Sequence, residues 1–113
     1  NAGVYHAARL VDTEPEAFDR VMQVNVYGAW HVMQLVLRQM QQQRSGQVVN
    51  IASTAGKWGS MNQSAYNASK HALVGLTRAS RLPSIGVQMG KPSGPPTGTC
   101  NPRAWKMSRT SVV

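Results

Sequence analysis

The chain has one cysteine, Cys100, so no internal disulfide can form, and a reducing compartment, the cytoplasm, is the expected location. Acidic residues are as scarce: four, all between Asp12 and Asp19, against twelve Lys and Arg. No two of the three histidines, His6, His31 and His71, stand four apart and no cysteine lies near them, so no metal site is expected. None of the ten glycines forms a G-x-x-x-G-x-G turn between an apolar strand and a helix, which removes the usual backbone cradle for a pyrophosphate. No apolar run is long enough to predict a membrane span, since the longest helical pattern contains Asn25, Tyr27 and several Gln. The amino terminus does not read as a signal peptide, and no repeat is visible.

The positive charge is unevenly spread. Residues 1–79 hold seven Lys/Arg and four acids, for +3, while residues 80–113 hold five Lys/Arg and no acid, for +5 of the total +8. That second segment carries five Pro, four Gly, five Ser and three Thr, a composition that buries too little apolar surface to offset chain entropy. Its basic residues, Arg81, Lys91, Arg103, Lys106 and Arg109, are scattered, with Trp105 the one aromatic among them. Stacking on nucleic acid needs more, so a nucleic-acid role is not expected. A length of 113 residues suits one partial domain.

Hydrophobic periodicity divides residues 1–82 into three elements. Thr13-Glu14-Pro15-Glu16 has the form of a capping box, with Thr13 as cap and Pro15 in the first turn. The helix it opens is expected to run to about Gln43, with Phe18, Met22, Val26, Ala29, Met33, Leu37 and Met40 as an apolar stripe that serves mainly as core or subunit contact. Ser45-Gly46 should end it, and Gln47 to Ala52 reads as a short strand rich in β-branched residues. A loop through Lys57 to Met61 follows. The second helix is expected to begin near Asn62 or Ser64 and to stop near Leu82, because Pro83 is incompatible with a helix interior.

Ser53, Tyr66 and Lys70 stand in the order S-x12-Y-x3-K. On these elements Ser53 lies at the carboxyl end of the strand, and Tyr66 and Lys70 share one helix face. Three proton-handling side chains then meet at one point. The arrangement suits hydride chemistry on an alcohol or ketone, where the oxygen loses or gains a proton as the carbon exchanges hydride. A phenol titrates near about 10 in water, and an ammonium group one turn away favours the phenolate. Tyr66 is the expected acid or base and Lys70 its electrostatic partner; Ser53 is expected to steady the same substrate oxygen. Taken singly, Tyr66 and Lys70 read as an exposed helix pair, Ser53 as a strand-end cap and Asn25 as a polar residue on a solvated helix face.

The surrounding residues change that balance, because residues 1–79 resemble the short-chain dehydrogenase/reductase family. Asn1-Ala2-Gly3 looks like the end of the family's N-N-A-G segment, which lies beside the adenosine part of the cofactor. Asn25, within Val24-Asn25-Val26-Tyr27-Gly28, matches the helix asparagine that anchors a water in a proton relay from lysine to solvent. The intervals of 28 residues from Asn25 to Ser53 and 13 from Ser53 to Tyr66 are close to the family's own. The runs Asn50-Ile51-Ala52-Ser53-Thr54-Ala55-Gly56 and Tyr66-Asn67-Ala68-Ser69-Lys70-His71-Ala72-Leu73 are dense matches, most like reductases of 3-oxoacyl thioesters. The resemblance implies an α/β fold, here the central part of a Rossmann-like, doubly wound parallel sheet. It also implies NAD or NADP as cofactor, contacted by Asn1, Ala2, Gly3, Tyr66 and Lys70, and a small-molecule alcohol or ketone substrate in a pocket of Ser53, Trp58, Met61, Gln63 and Tyr66. Helices over 14–43 and 62–82 would pair with those of a second copy in a homo-oligomer. The residue that selects NAD or NADP would precede Asn1, so the two are not distinguished.

Two departures from the family bear on function. Members open with a strand, a glycine-rich turn and a helix, whereas this sequence starts inside a later motif, so it is expected to be an internal fragment. After Ala79 the resemblance stops. Gly86-Val87-Gln88 echoes the family's next strand, but Pro92, Pro95 and Pro96 argue against a central strand. Residues 80–113 are therefore expected to be an irregular basic tail, arising from a shifted reading frame, an alternative exon or a cloning junction. Two functions follow from these observations: a piece of an NAD(P)-dependent alcohol/ketone oxidoreductase, or a truncated, inert chain that keeps at most the helix pairing with intact subunits.

Overall fold

A computed structural model describes residues 2–82 and 85–90. A short 3-10 turn, Leu10–Asp12, precedes a long helical run made of α1 (Pro15–Met22), a π-helical segment (Gln23–Gly28) and α2 (Ala29–Gln43). Strand β1 (Gln47–Ile51) follows, then a 3-10 turn over Thr54–Gly56, helix α3 (Ser64–Ala79) and strand β2 (Gly86–Gly90). The two strands pair in parallel, Gln47 opposite Gly86 through Ile51 opposite Gly90. Parallel neighbours need a crossover, and α3 supplies it, giving the strand–helix–strand unit from which α/β sheets are assembled.

Val48, Val49 and Ile51 favour the pleated backbone of β1. Its inward residues, Val48 and Asn50, face the helices, while Val49 and Ile51 are exposed on the other face. The helix-covered face carries a core of Met33, Ile85 and Val87, packed against Leu37, Met40, Val48, Leu76 and Leu82. Of the apolar stripe read along the first helix, Met33 is buried and the others are half-buried; Val21, off that stripe, is buried as well.

Four sequence expectations are corrected. Residues 86–90 are not irregular: they form β2. The prolines that argued against a strand, Pro92, Pro95 and Pro96, lie beyond its last residue, and burial of Ile85 and Val87 against α2 and α3 outweighs the poor local composition. The Gly86 N–H also donates to the Gly46 carbonyl at 3.1 Å, extending the alignment with the start of β1. The capping box does not form, because the Thr13 hydroxyl turns back to donate to the Arg9 carbonyl, 2.9 Å, leaving Glu14 as the cap without a side-chain bond. The first helix ends at Gln43, as expected, but it is Arg44 as the cap, with a left-handed φ of 54°, and not Ser45-Gly46, that turns the chain there. Helix α3 ends at Ala79 rather than Leu82: the Ser80 N–H and hydroxyl both donate to the Leu76 carbonyl, at 3.0 and 2.7 Å, and close the last turn.

Candidate functional site

Helix α3 turns Ala65, Ser69, Lys70, Leu73, Val74 and Thr77 inward, a face that recurs every three to four residues. Lys70 is thus carried into the interior and keeps 8 % of its surface exposed. Its ammonium group lies 5.5 Å from the centre of the Tyr66 ring, one turn back on the same helix. Burial pushes the Lys70 ammonium below its ordinary value of 10.5, because the charged form loses water. Tyr66 is half-buried, and the Tyr5 ring stands edge-on to it, 5.1 Å between centroids at 73°.

Ser53 follows β1 and caps the 3-10 turn, where its hydroxyl accepts from the Ala55 N–H at 3.2 Å. It is therefore a strand-end cap in local terms. That turn also lies directly on α3: a Cβ added to Gly56 would stand 2.8 Å from the Lys70 carbonyl oxygen and 3.0 Å from Val74 Cγ2. Only a residue without a side chain permits the approach, and it brings the Ser53 turn onto the Lys70 turn of the helix. The described hydrogen bond of the Ser53 hydroxyl goes to Ala55, not to Tyr66.

Asn25 is buried at 3 % exposure, which corrects the reading of a solvated helix face. It stands in the π-helical segment, and such segments occur often at functional sites. Its Oδ1 accepts from the Val4 N–H and its Nδ2 donates to the Val4 carbonyl, both at 2.8 Å. The same Nδ2 donates to the Ser69 hydroxyl at 3.0 Å, and Ser69 donates to the Tyr66 carbonyl at 2.8 Å. A polar chain thus runs from the Val4 backbone through two buried side chains to the backbone of Tyr66.

The other sequence-derived positions are more dispersed. Asn1 lies outside the described residues. Ala2 is exposed; Gly3 is exposed beside Asn25, whose Oδ1 would lie 3.6 Å from an added Cβ. Trp58 is half-buried, with its N–H on the Thr54 carbonyl at 3.3 Å. Met61 is 90 % exposed. Gln63 precedes α3 and pairs with Ala8 in an isolated parallel bridge. Sequence reading assigned no role to Tyr5 or Ser69. Ser69 carried a usable signal, a small hydroxyl three residues after Tyr66 on the inward face; Tyr5 carried none until Asn25 was seen to hold Val4.

In chemical terms, the site joins a phenol, a buried ammonium at its ring and a hydroxyl-capped turn packed on the same helix. A phenol so placed can exchange a proton with a bound oxygen, and a desolvated ammonium can donate to a ligand hydroxyl while biasing local charge. Among the described residues, no group of three His, Cys, Asp or Glu could hold a metal ion, and no helix is long and apolar enough to cross a membrane.

Comparison with known proteins gives the class. The sequence profile of the short chain dehydrogenases matches residues 1–87, past Ala79 and into β2. The chain belongs to the short-chain dehydrogenase family. It is 40 % identical over 82 residues to D-beta-hydroxybutyrate dehydrogenase of Cupriavidus necator, covering 73 % of this chain and 32 % of that protein. It is also 40 % identical to the sex determination protein tasselseed-2 of Zea mays over 123 aligned residues, covering 100 % of this chain and 36 % of that one. A crystal structure of NAD+-bound xylitol dehydrogenase superimposes with a TM-score of 0.76 at 41 % identity, over 79 % of this chain and 36 % of the other. A gluconate 5-dehydrogenase from Burkholderia cenocepacia, in complex with NADP and tartrate, gives 0.68 at 33 % identity, over 70 % and 31 %. The chain thus spans about a third of the length of these relatives, and its strand–helix–strand unit is part of a Rossmann-like α/β domain.

Proposed function

We propose that this chain supplies the catalytic segment of an NAD(P)-dependent oxidoreductase that moves hydride between the nicotinamide and an alcohol or ketone. The observation that carries the reading is the buried Lys70 ammonium, 5.5 Å from the centre of the Tyr66 ring. The described residues fit one end of a nicotinamide cofactor: apart from the Tyr66 ring, no described protein group engages the Lys70 ammonium, so its N–H donors can meet ribose hydroxyls. When bound, the cofactor supplies or accepts the hydride.

The chain's own residues handle the proton. Tyr66 gives a proton to the carbonyl oxygen during reduction and takes it back during oxidation. Lys70 sets the charge around that phenol and orients the ribose. Ser53 holds the substrate oxygen by a hydrogen bond, and its turn is kept on α3 by the close approach at Gly56. Asn25 fixes Val4 and, through Ser69, the backbone of Tyr66; its proposed further role is to anchor a water in the proton path from Lys70.

Trp58, Met61 and Gln63 are proposed pocket residues, with Ala2 and Gly3, together with Asn1, on the cofactor side. A 3-oxoacyl thioester or related ketone is the proposed substrate. Tyr27, Trp30, Val32 and Leu35, exposed along the first helical run, are the proposed contact with a second copy. Cytoplasmic location is proposed from the single cysteine.

Fluorescence titration with NADH and NADPH tests the reading. Saturable binding, with turnover of a 3-oxoacyl thioester, is expected. Absence of both, in a chain that is folded by circular dichroism, favours the inert alternative.

A further inference from the structure

We propose that Tyr5 sets the substrate class of the Tyr66 site, favouring carbonyl compounds that carry a flat apolar group beside the reacting carbon. The inference rests on the reading of Tyr66 as the proton-transferring group. Tyr5 meets the Tyr66 ring edge-on at 5.1 Å and 73°, the geometry in which the positive edge of one ring faces the negative face of another.

The position of Tyr5 is set from behind. One residue earlier, Asn25 holds the Val4 peptide by both its N–H and its carbonyl. Three residues later, the Ala8 N–H donates to the Asn62 carbonyl at 2.9 Å, on the loop that joins Ser53 to Tyr66. Residues 4–8 are therefore pinned at both ends across the amino-terminal end of α3. Tyr5 nevertheless keeps 57 % of its surface exposed. A ring already held in place, with more than half its surface open, loses little freedom when another flat group packs on it.

Further apolar side chains are exposed on the same segments. Leu10, Val11 and Met61 are exposed on the two segments that the Ala8–Asn62 bond joins. The charged side chains next to Leu10 and Val11, Arg9 and Asp12, are paired with each other. The pair itself stays largely exposed, so the apolar contact offered beside Tyr66 is the Tyr5 ring.

The full chain is assayed with NADH or NADPH on acetophenone and butanone, as wild type, Tyr5→Phe and Tyr5→Ala. The kcat/KM ratio of acetophenone to butanone should fall about three- to tenfold in Tyr5→Ala, the range that one aromatic contact allows, and be kept in Tyr5→Phe. An unchanged ratio in Tyr5→Ala overturns the inference and leaves the function standing. A protein that turns over neither ketone counts instead against the proposed function, and proton NMR then decides the role of Tyr5. Benzyl alcohol should shift the Tyr5 and Tyr66 ring resonances together and saturably, ethanol should not, and Tyr5→Ala should abolish the Tyr66 shift. Tyr5 resonances unmoved by benzyl alcohol overturn the inference.

Discussion

The Lys70 ammonium reaches the Tyr66 ring from one turn along α3, 5.5 Å from its centre, while the Tyr5 ring meets the same phenol edge-on. Both contacts are made to the ring, so Tyr66→Phe keeps them and removes only the hydroxyl. If that hydroxyl is the proton carrier, hydride transfer should drop about 10²- to 10⁴-fold, the usual span for a positioned acid–base group. Single-turnover absorbance at 340 nm measures the loss, and circular dichroism checks that α3 survives. Undiminished turnover in the variant would remove Tyr66 from proton transfer.

Lys70 makes stability depend on pH in a direction opposite to that of a surface ion pair. Burial lowers its folded-state value below 10.5, so between the two values the unfolded chain binds more protons than the folded one. Below the folded value both states are charged and the full desolvation cost is present. As pH rises through the folded value toward 10.5, that cost is relieved and stability increases. Lys70→Met fills similar volume without charge, so it should be the more stable form at pH 7, with the gap narrowing as pH rises toward 10.5. Urea midpoints of both forms from pH 7 to 10.5 test this; a wild type that exceeds the variant at pH 7 contradicts it.

The catalytic-type constellation was legible because it is local. A spacing of four between Tyr66 and Lys70 fixes a shared helix face, and the β-branched run before Ser53 fixes a strand end. Asn25 was legible only as a match. Its burial depends on the π-helical segment Gln23–Gly28, and on Val4, twenty-one residues away, offering both backbone groups. No periodicity encodes that pairing. Strand β2 was obscured for the opposite reason: its local composition is poor, and what stabilises it is burial of Val87 among side chains from α2, β1 and α3. Thr13 had the right type for a cap, yet the nearby carbonyl of Arg9 competed for its hydroxyl and won.

Ser69 is fully buried, and its hydroxyl serves two partners, accepting from Asn25 and donating to the Tyr66 carbonyl. Ser69→Ala would leave one Asn25 N–H without an acceptor in a dry setting, at a cost of about 1–3 kcal/mol. Chemical denaturation should register that loss, and hydrogen exchange at the Val4 amide should quicken as Asn25 loosens. A variant as stable as wild type, with Val4 still protected, would mean that Asn25 is held without Ser69.

Gly56 and Gly59 lie three residues apart on the same connection and should respond oppositely to alanine. At Gly56 an added Cβ meets backbone, the Lys70 carbonyl oxygen at 2.8 Å and its carbon at 3.1 Å, so the turn and α3 must separate. Overpacking of this kind costs about 1–3 kcal/mol, and here it also carries Ser53 away from the Tyr66 helix. At Gly59 nothing lies within 4 Å and the backbone is not left-handed, so alanine should be neutral or stabilise by about 0.4–1 kcal/mol through the unfolded state. Urea unfolding of the two variants side by side measures the contrast. Because Gly56→Ala shifts Ser53 while leaving every proton-handling side chain in the sequence, its activity should fall further than its stability predicts; equal behaviour of the two variants would show that the Ser53 turn is not seated on Lys70.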